Sequence, residues 1–184
     1  MEKIDLGHIE PNYLNKEFKL SEEKLRKLIE ISGDLGVSVL SLEAGKDEIL
    51  EKIRENFPAR YDLVIQKLKE EELDLDDLSK DLILDRMLGI DFMFSFKDKN
   101  YIVDVGTGKH SNIINKEKKF KEMEDLYREF GIDRALVLRL KEDITEDMAL
   151  DLFGKLEKID NEEDLFSIVV KYPETDMIKK KGRL

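Results

Sequence analysis

The chain has no cysteine and no tryptophan, and only two histidines and three prolines in 184 residues. Without cysteine there are no disulfides, no thiol nucleophile and no thiolate zinc site. Two histidines, His8 and His110, do not make up the ligand set that zinc prefers. No stretch approaches the ~20 consecutive apolar residues that a membrane-spanning helix needs. The first residues lack the basic-then-apolar pattern of a secretory leader. The chain is therefore expected to be cytoplasmic, with no membrane partner. Gly106-Thr107-Gly108-Lys109-His110-Ser111 is not a phosphate-binding P-loop, because the four-residue gap between glycines and the Lys-Ser/Thr pair are both missing.

What the chain has is charge. Forty-one per cent of its residues are charged, with 43 acids against 32 bases and a net charge of -11. Most globular chains carry about a quarter charged residues. The Lys- and Glu-rich balance resembles that of proteins adapted to heat, where ion networks are favoured. Hydrophobic residues also make up 41%, enough for a packed core at this length. The overall field disfavours non-specific binding to nucleic acid, so a nucleic-acid partner requires a local basic patch. Lys109, Lys116, Lys118, Lys119 and Lys121 supply one, with Glu117 the one acid among them. Lys179, Lys180, Lys181 and Arg183 supply another.

Periodicity divides the chain into helices followed by β-β-α-β-α-β. Pro11 and Asn12 suggest a loop, and Ser21 a helix cap, with the helix stopping at Gly33. Val37 to Leu40 has the composition of a short strand. Asp47 and Pro58 open two further helices. Asp74 or Asp76 is expected to cap a helix that runs to Leu88 and stops at Gly89. The period then changes to two. Ile90, Phe92, Phe94 and Phe96 alternate with Asp91, Met93 and Ser95. After Lys97-Asp98-Lys99-Asn100, read as a four-residue turn, Tyr101, Val103 and Val105 alternate with Ile102, Asp104 and Gly106. This is a hairpin at about residues 90–106. A helix is expected from about Asn115 to Gly131, a buried strand at Ala135–Leu138, a helix capped by Thr145 and a last strand at 166–170. The pattern predicts an α/β fold: a mixed sheet flanked by helices, with a mainly helical region at 1–75 and an α/β core at 76–184, or one domain throughout.

The hairpin carries the chemistry. Pairing Phe96 with Tyr101 makes one face aromatic and β-branched and puts Asp91 and Asp104 on the other, as diagonal neighbours about 7–8 Å apart. A one-residue slip would separate them and break the apolar face. Strands with helices before and after them are usually covered on both sides. Two carboxylates there are costly unless paired with cations or bound to a metal. Hard oxygen ligands suit Mg²⁺ or Mn²⁺.

These residues resemble the PD-(D/E)xK, or restriction-endonuclease-like, nuclease superfamily. Gly89-Ile90-Asp91 is similar to its first motif element and Tyr101-Ile102-Val103-Asp104-Val105 to its second. The preceding helix, the following helix and the next strand come in the expected order, so the resemblance covers about residues 76–141. It implies a restriction-endonuclease-like fold and metal-dependent hydrolysis of DNA or RNA phosphodiesters, with Asp91 and Asp104 holding Mg²⁺ or Mn²⁺. The sequence departs from the motif at Gly106, which stands where the family has lysine. In this superfamily the lysine migrates, sometimes into the following helix, so Lys109, Lys116 and Lys119 are its candidate replacements, with Lys109 preferred. Lys116, Lys119 and His110 are candidate nucleic-acid contacts. An acid of the preceding helix, Asp81 or Asp85, often completes such sites.

Other readings follow from the same segments. A degenerate member of the superfamily would bind nucleic acid or protein without cutting. The Phe92-Phe94-Phe96 face is expected to be core beneath the helices, since large apolar faces are rarely left exposed, with a homodimer surface as the alternative. Val103-Asp104-Val105-Gly106-Thr107-Gly108 also resembles the first motif of Rossmann-type methyltransferases, which use S-adenosylmethionine. A hairpin precedes it, however, and too little chain follows for that fold.

Overall fold

The computed structural model describes residues 23, 26–106, 110–159, 162 and 165–172. His8, the Pro11–Asn12 loop, the Ser21 cap, Thr107 to Lys109 and the basic tail lie outside them. A helix at 26–32 (α1) leads through a 3₁₀ turn, Gly33–Leu35, to the two-residue strand β1 (Ser38–Val39). The α-helical part ends at Ser32, as expected from Gly33, and the 3₁₀ turn is closed by Gly36 (φ +79°). Helices α2 (Lys46–Asn56) and α3 (Pro58–Glu70) follow, with Pro58 in the first turn of α3. The missing proline N–H costs nothing there.

The next helix corrects one expectation. Asp74 caps only a short 3₁₀ turn, Leu75–Asp77. Leu78 and Ser79 are extended, and the helix begins after Ser79, whose Oγ accepts a hydrogen bond from the Leu82 N–H. This helix, α4 (Lys80–Ile83), widens into a π-helical stretch, Leu84–Leu88, and ends at Gly89 (φ +67°). Such widened turns are rare and often found at functional sites.

Strands β2 (Phe92–Phe96) and β3 (Lys99–Gly106) form the hairpin. Its turn is shorter than the sequence suggested. Lys97 (φ +52°) and Asp98 (φ +63°) both adopt left-handed conformations, the signature of a two-residue turn whose twist matches the strands. Phe94 therefore pairs with Tyr101 and Phe92 with Val103, a shift of two residues from the expected register. A shift of two leaves each side chain on its original face. The ladder ends at the Phe92–Val103 pair, and the Asp91 N–H also donates to the Val103 carbonyl, so Asp91 lies just before the strand beside Asp104.

Helix α5 (His110–Glu122) starts five residues before Asn115, the expected start, so the connection after β3 is short. A break at Met123 separates it from α6 (Glu124–Glu129). Strand β4 (Arg134–Leu140), helix α7 (Glu146–Lys158, capped by Thr145) and β5 (Ser167–Tyr172) complete the chain.

The fold is α/β: one mixed five-stranded sheet in the order β1-β2-β3-β4-β5, flanked by helices. The first two pairings are antiparallel and the last two parallel. One face carries Phe92, Phe94, Phe96, Tyr101 and Val103, packed beneath α7 and Leu28 of α1. Phe94 stacks on Tyr101 at 4.8 Å and meets the edge of Phe153 at 5.7 Å. Such aromatic pairs add about 0.5–1.5 kcal/mol each beyond area burial. The Phe92-Phe94-Phe96 face suggested for a homodimer is thus core. The opposite face carries Met93, Ile102, Ala135 and Val137 beneath α2 to α6. Ile49, Ile53, Val64 and Leu68, from the helical N-terminal part, belong to this same core. Among the described residues no helix is long and apolar enough to cross a membrane.

Candidate functional site

On the second face of the sheet, three carboxylates and two lysines converge. Asp104 projects from the middle of β3 and is 3% exposed. Lys116 Nζ lies 2.5 Å from its Oδ1 and Lys119 Nζ 3.1 Å from its Oδ2. Both lysines come from α5, one turn apart, a spacing that points them at the same spot. Asp91 precedes β2, and its Oδ2 accepts a 2.6 Å hydrogen bond from the Val105 N–H. Asp85 comes from the widened turn of α4.

Two glycines border the lysines. A Cβ at Gly89 would stand 1.8 Å from Lys119 Nζ and 3.4 Å from Asp104 Oδ2. Gly89 is required twice over, by its left-handed backbone and by this close approach. Gly89→Ala is expected to cost about 1–2 kcal/mol from backbone conformation alone, with a further loss from displacing Lys119. Urea unfolding measures the sum. At Gly106 the tight neighbour is Ile113, with the Lys116 stem in ordinary van der Waals range. A Cβ there would meet Ile113 Cδ1 at 3.1 Å and Lys116 Cε at 3.5 Å. Gly106 occupies the motif-lysine position, and the Lys116 stem runs alongside it.

The electrostatics follow from this crowding. Burial raises the Asp85 pKa to about 6, with Asp104 adding to the rise and Arg86, Lys116 and Lys119 opposing it. Asp91 is raised well above the usual carboxylate value by burial, then by Asp104 and Asp85, against the Val105 hydrogen bond and Lys116. Burial also opposes the charge of both lysines. At Lys116 the pull of Asp104, Asp91 and Asp85 outweighs it, and the pKa rises. At Lys119, which is less exposed and feels the charges of Lys116 and Arg60, burial prevails and the pKa falls. Lys119 is further held over the Phe120 ring at 4.8 Å.

The sequence candidates fare differently. Asp91, Asp104, Lys116 and Lys119 are brought together. Lys109, preferred from the sequence, lies outside the described residues. So does the side chain of His110, whose backbone begins α5. Of the two acids left open in the preceding helix, Asp81 is exposed and Asp85 joins the cluster. The available signal was its place three residues after Leu82 and seven after Leu78, on the apolar stripe of the helix. Arg60 of α3 had no reading from the sequence. It donates from Nε to the carbonyl of Met87, within a turn of Asp85 and Gly89, and its charge is felt at Lys119 and Tyr127.

No family model, curated protein or solved structure matches the chain at a significant level. The functional reading rests on the residues themselves.

Among the described residues, no three acidic or histidine side chains form a ready-made cation cage. The donor chemistry nevertheless fits a hard divalent ion. A carboxylate offers about four lone-pair positions. One ammonium on each Asp104 oxygen and one N–H on Asp91 leave others open. The mutual repulsion of Asp85, Asp91 and Asp104 is the kind a divalent cation relieves.

Proposed function

We propose that the chain is a metal-dependent phosphodiesterase acting on DNA or RNA, with a restriction-endonuclease-like core in which Lys116 has replaced the motif lysine. The observation that carries this reading is the Lys116–Asp104 contact beside Gly106. The strand position two after the second aspartate is vacant, and an ammonium reaches the same carboxylate from the next helix.

Asp91 and Asp104, with Asp85 beside them, are the groups that would hold Mg²⁺ or Mn²⁺, which supplies Lewis acidity toward a phosphodiester and the water that attacks it. The chain's own residues have separate tasks. Lys116, the more exposed of the two lysines (29% against 17%), presents positive charge where charge develops on the phosphoryl oxygens. Lys119 is packed between Gly89 and Phe120 and holds Asp104 in one rotamer. Val105 N–H holds Asp91. The hairpin and α5 are therefore positioning elements, and the sheet beneath them keeps the carboxylates in register.

The test is cleavage of labelled single- and double-stranded DNA and RNA with Mg²⁺ or Mn²⁺, comparing wild type with Asp104→Asn. Metal-dependent cleavage that falls by about 10²-fold or more in the variant is the expected result, the scale for losing one preorganised electrostatic group. Folded wild type that cuts no substrate with either metal would sink the catalytic reading. It would favour a degenerate member in which the lysines simply neutralise Asp104.

A further inference from the structure

Arg60 stands apart in this acidic chain. Acids outnumber bases by 43 to 32, so carboxylate partners are abundant. Arg86 pairs with Glu71 and Arg128 with Glu124. Arg60 is half-buried, yet among the described residues it pairs with no carboxylate. Its recorded partner is a backbone oxygen, that of Met87. Its charge is felt by another cation, Lys119, and by the Tyr127 hydroxyl. A partly buried guanidinium beside an ammonium is electrostatically unfavourable unless an anion completes the arrangement.

The geometry points to Arg60 as an anion-contact residue that takes a backbone phosphate of a nucleic-acid strand lying across the carboxylate–lysine cluster. The inference rests on the nuclease reading and deepens it by assigning α3, in the N-terminal part, to substrate binding. The hydrogen bond from Nε fixes the plane of the guanidinium and leaves both terminal nitrogens for a second partner. That fork matches two phosphate oxygens. The position is consistent with this role. Met87 lies two residues after Asp85 and two before Gly89, the glycine that seats Lys119.

The competing explanation is local. An arginine that donates to a carbonyl near a helix C-terminus can be a cap and nothing more. Binding of fluorescein-labelled 20-nucleotide single- and double-stranded DNA, titrated against salt in the presence of Ca²⁺, separates the two. Arg60→Gln retains a donor for the carbonyl but loses the charge. It is expected to bind about 10–100-fold more weakly, the scale for one charge-assisted contact. The slope of log affinity against log salt should fall by about 1. Arg60→Lys, which keeps a point charge without the fork, should recover the slope but not the full affinity. Both variants are checked by thermal melting. Variants that melt lower but bind DNA like wild type would assign Arg60 to capping and overturn the inference, leaving the Asp104 cleavage result untouched. Wild type that binds neither these DNAs nor the matching single- and double-stranded RNAs would overturn the inference together with the reading beneath it.

Discussion

Lys116→Met is expected to leave a folded protein that has lost about two to three orders of magnitude in phosphodiester cleavage, the range for removing one preorganised charge from a reacting centre. The methionine keeps most of the stem that lies over Gly106. Asp104 retains Lys119 as a counter-ion, so the buried carboxylate is not orphaned. Lys119→Met should behave in the opposite sense. Its ammonium sits deeper, against Gly89 and over Phe120, and removing one partner of a buried pair costs up to about 3–5 kcal/mol when no other partner remains. With Lys116 still present the cost should be about 1–3 kcal/mol, the range for an unsatisfied buried group. Urea unfolding and cleavage rates, measured on both variants, separate the roles. Equal activity losses with equal stability losses would argue against any division between the two lysines.

Asp85→Asn is expected to stabilise the protein above pH 6. Burial and the neighbouring carboxylates raise the folded pKa of Asp85 to about 6, from the ordinary 3.8. Between about pH 4 and pH 6 the folded chain therefore holds a proton that the unfolded chain has released. Stability from this group falls as pH rises through that window and is flat above it. The difference corresponds to up to about 3 kcal/mol. Asp91, raised for the same reasons, acts in the same direction. Comparing thermal melting of wild type and Asp85→Asn from pH 4 to pH 8 reports the removal of this charge together with the relief it gives Asp91, which Asp85 raises. The gap should widen from pH 4 to pH 6 and then hold. Saturating Mn²⁺ should narrow it by stabilising wild type more than the variant. A pH-independent gap, or none, would show that Asp85 carries no strained charge.

How much of this was legible in the sequence depends on the range of the interaction. The strands and their faces follow from a period of two, so Asp91 and Asp104 fell on one face even though the turn was read two residues too long. That error came from backbone conformation. Lys97 and Asp98 are left-handed without being glycine or asparagine, and composition alone does not announce such a turn. The late start assumed for α5 had a larger effect. It hid the spacing that places Lys116 and Lys119 together over Asp104, while Lys109, the preferred candidate, lies outside the described residues. Asp85 was one of two acids in its helix until burial distinguished it. Arg60 was invisible because its partner, a main-chain carbonyl 27 residues away, leaves no mark in side-chain pattern.

Gly106 and Lys116 stand side by side. A side chain at 106 would press its Cβ on Ile113 Cδ1 and run alongside the Lys116 stem, while a small residue at 116 would leave Asp104 with Lys119 alone. The two positions consequently form a single exchangeable unit. Lysine on the strand with a small residue on the helix, or glycine on the strand with lysine on the helix, are alternative ways of delivering one ammonium to one carboxylate. Either single change gives a tighter site or one with a single cation on Asp104, and the paired substitution keeps both the space and the charge.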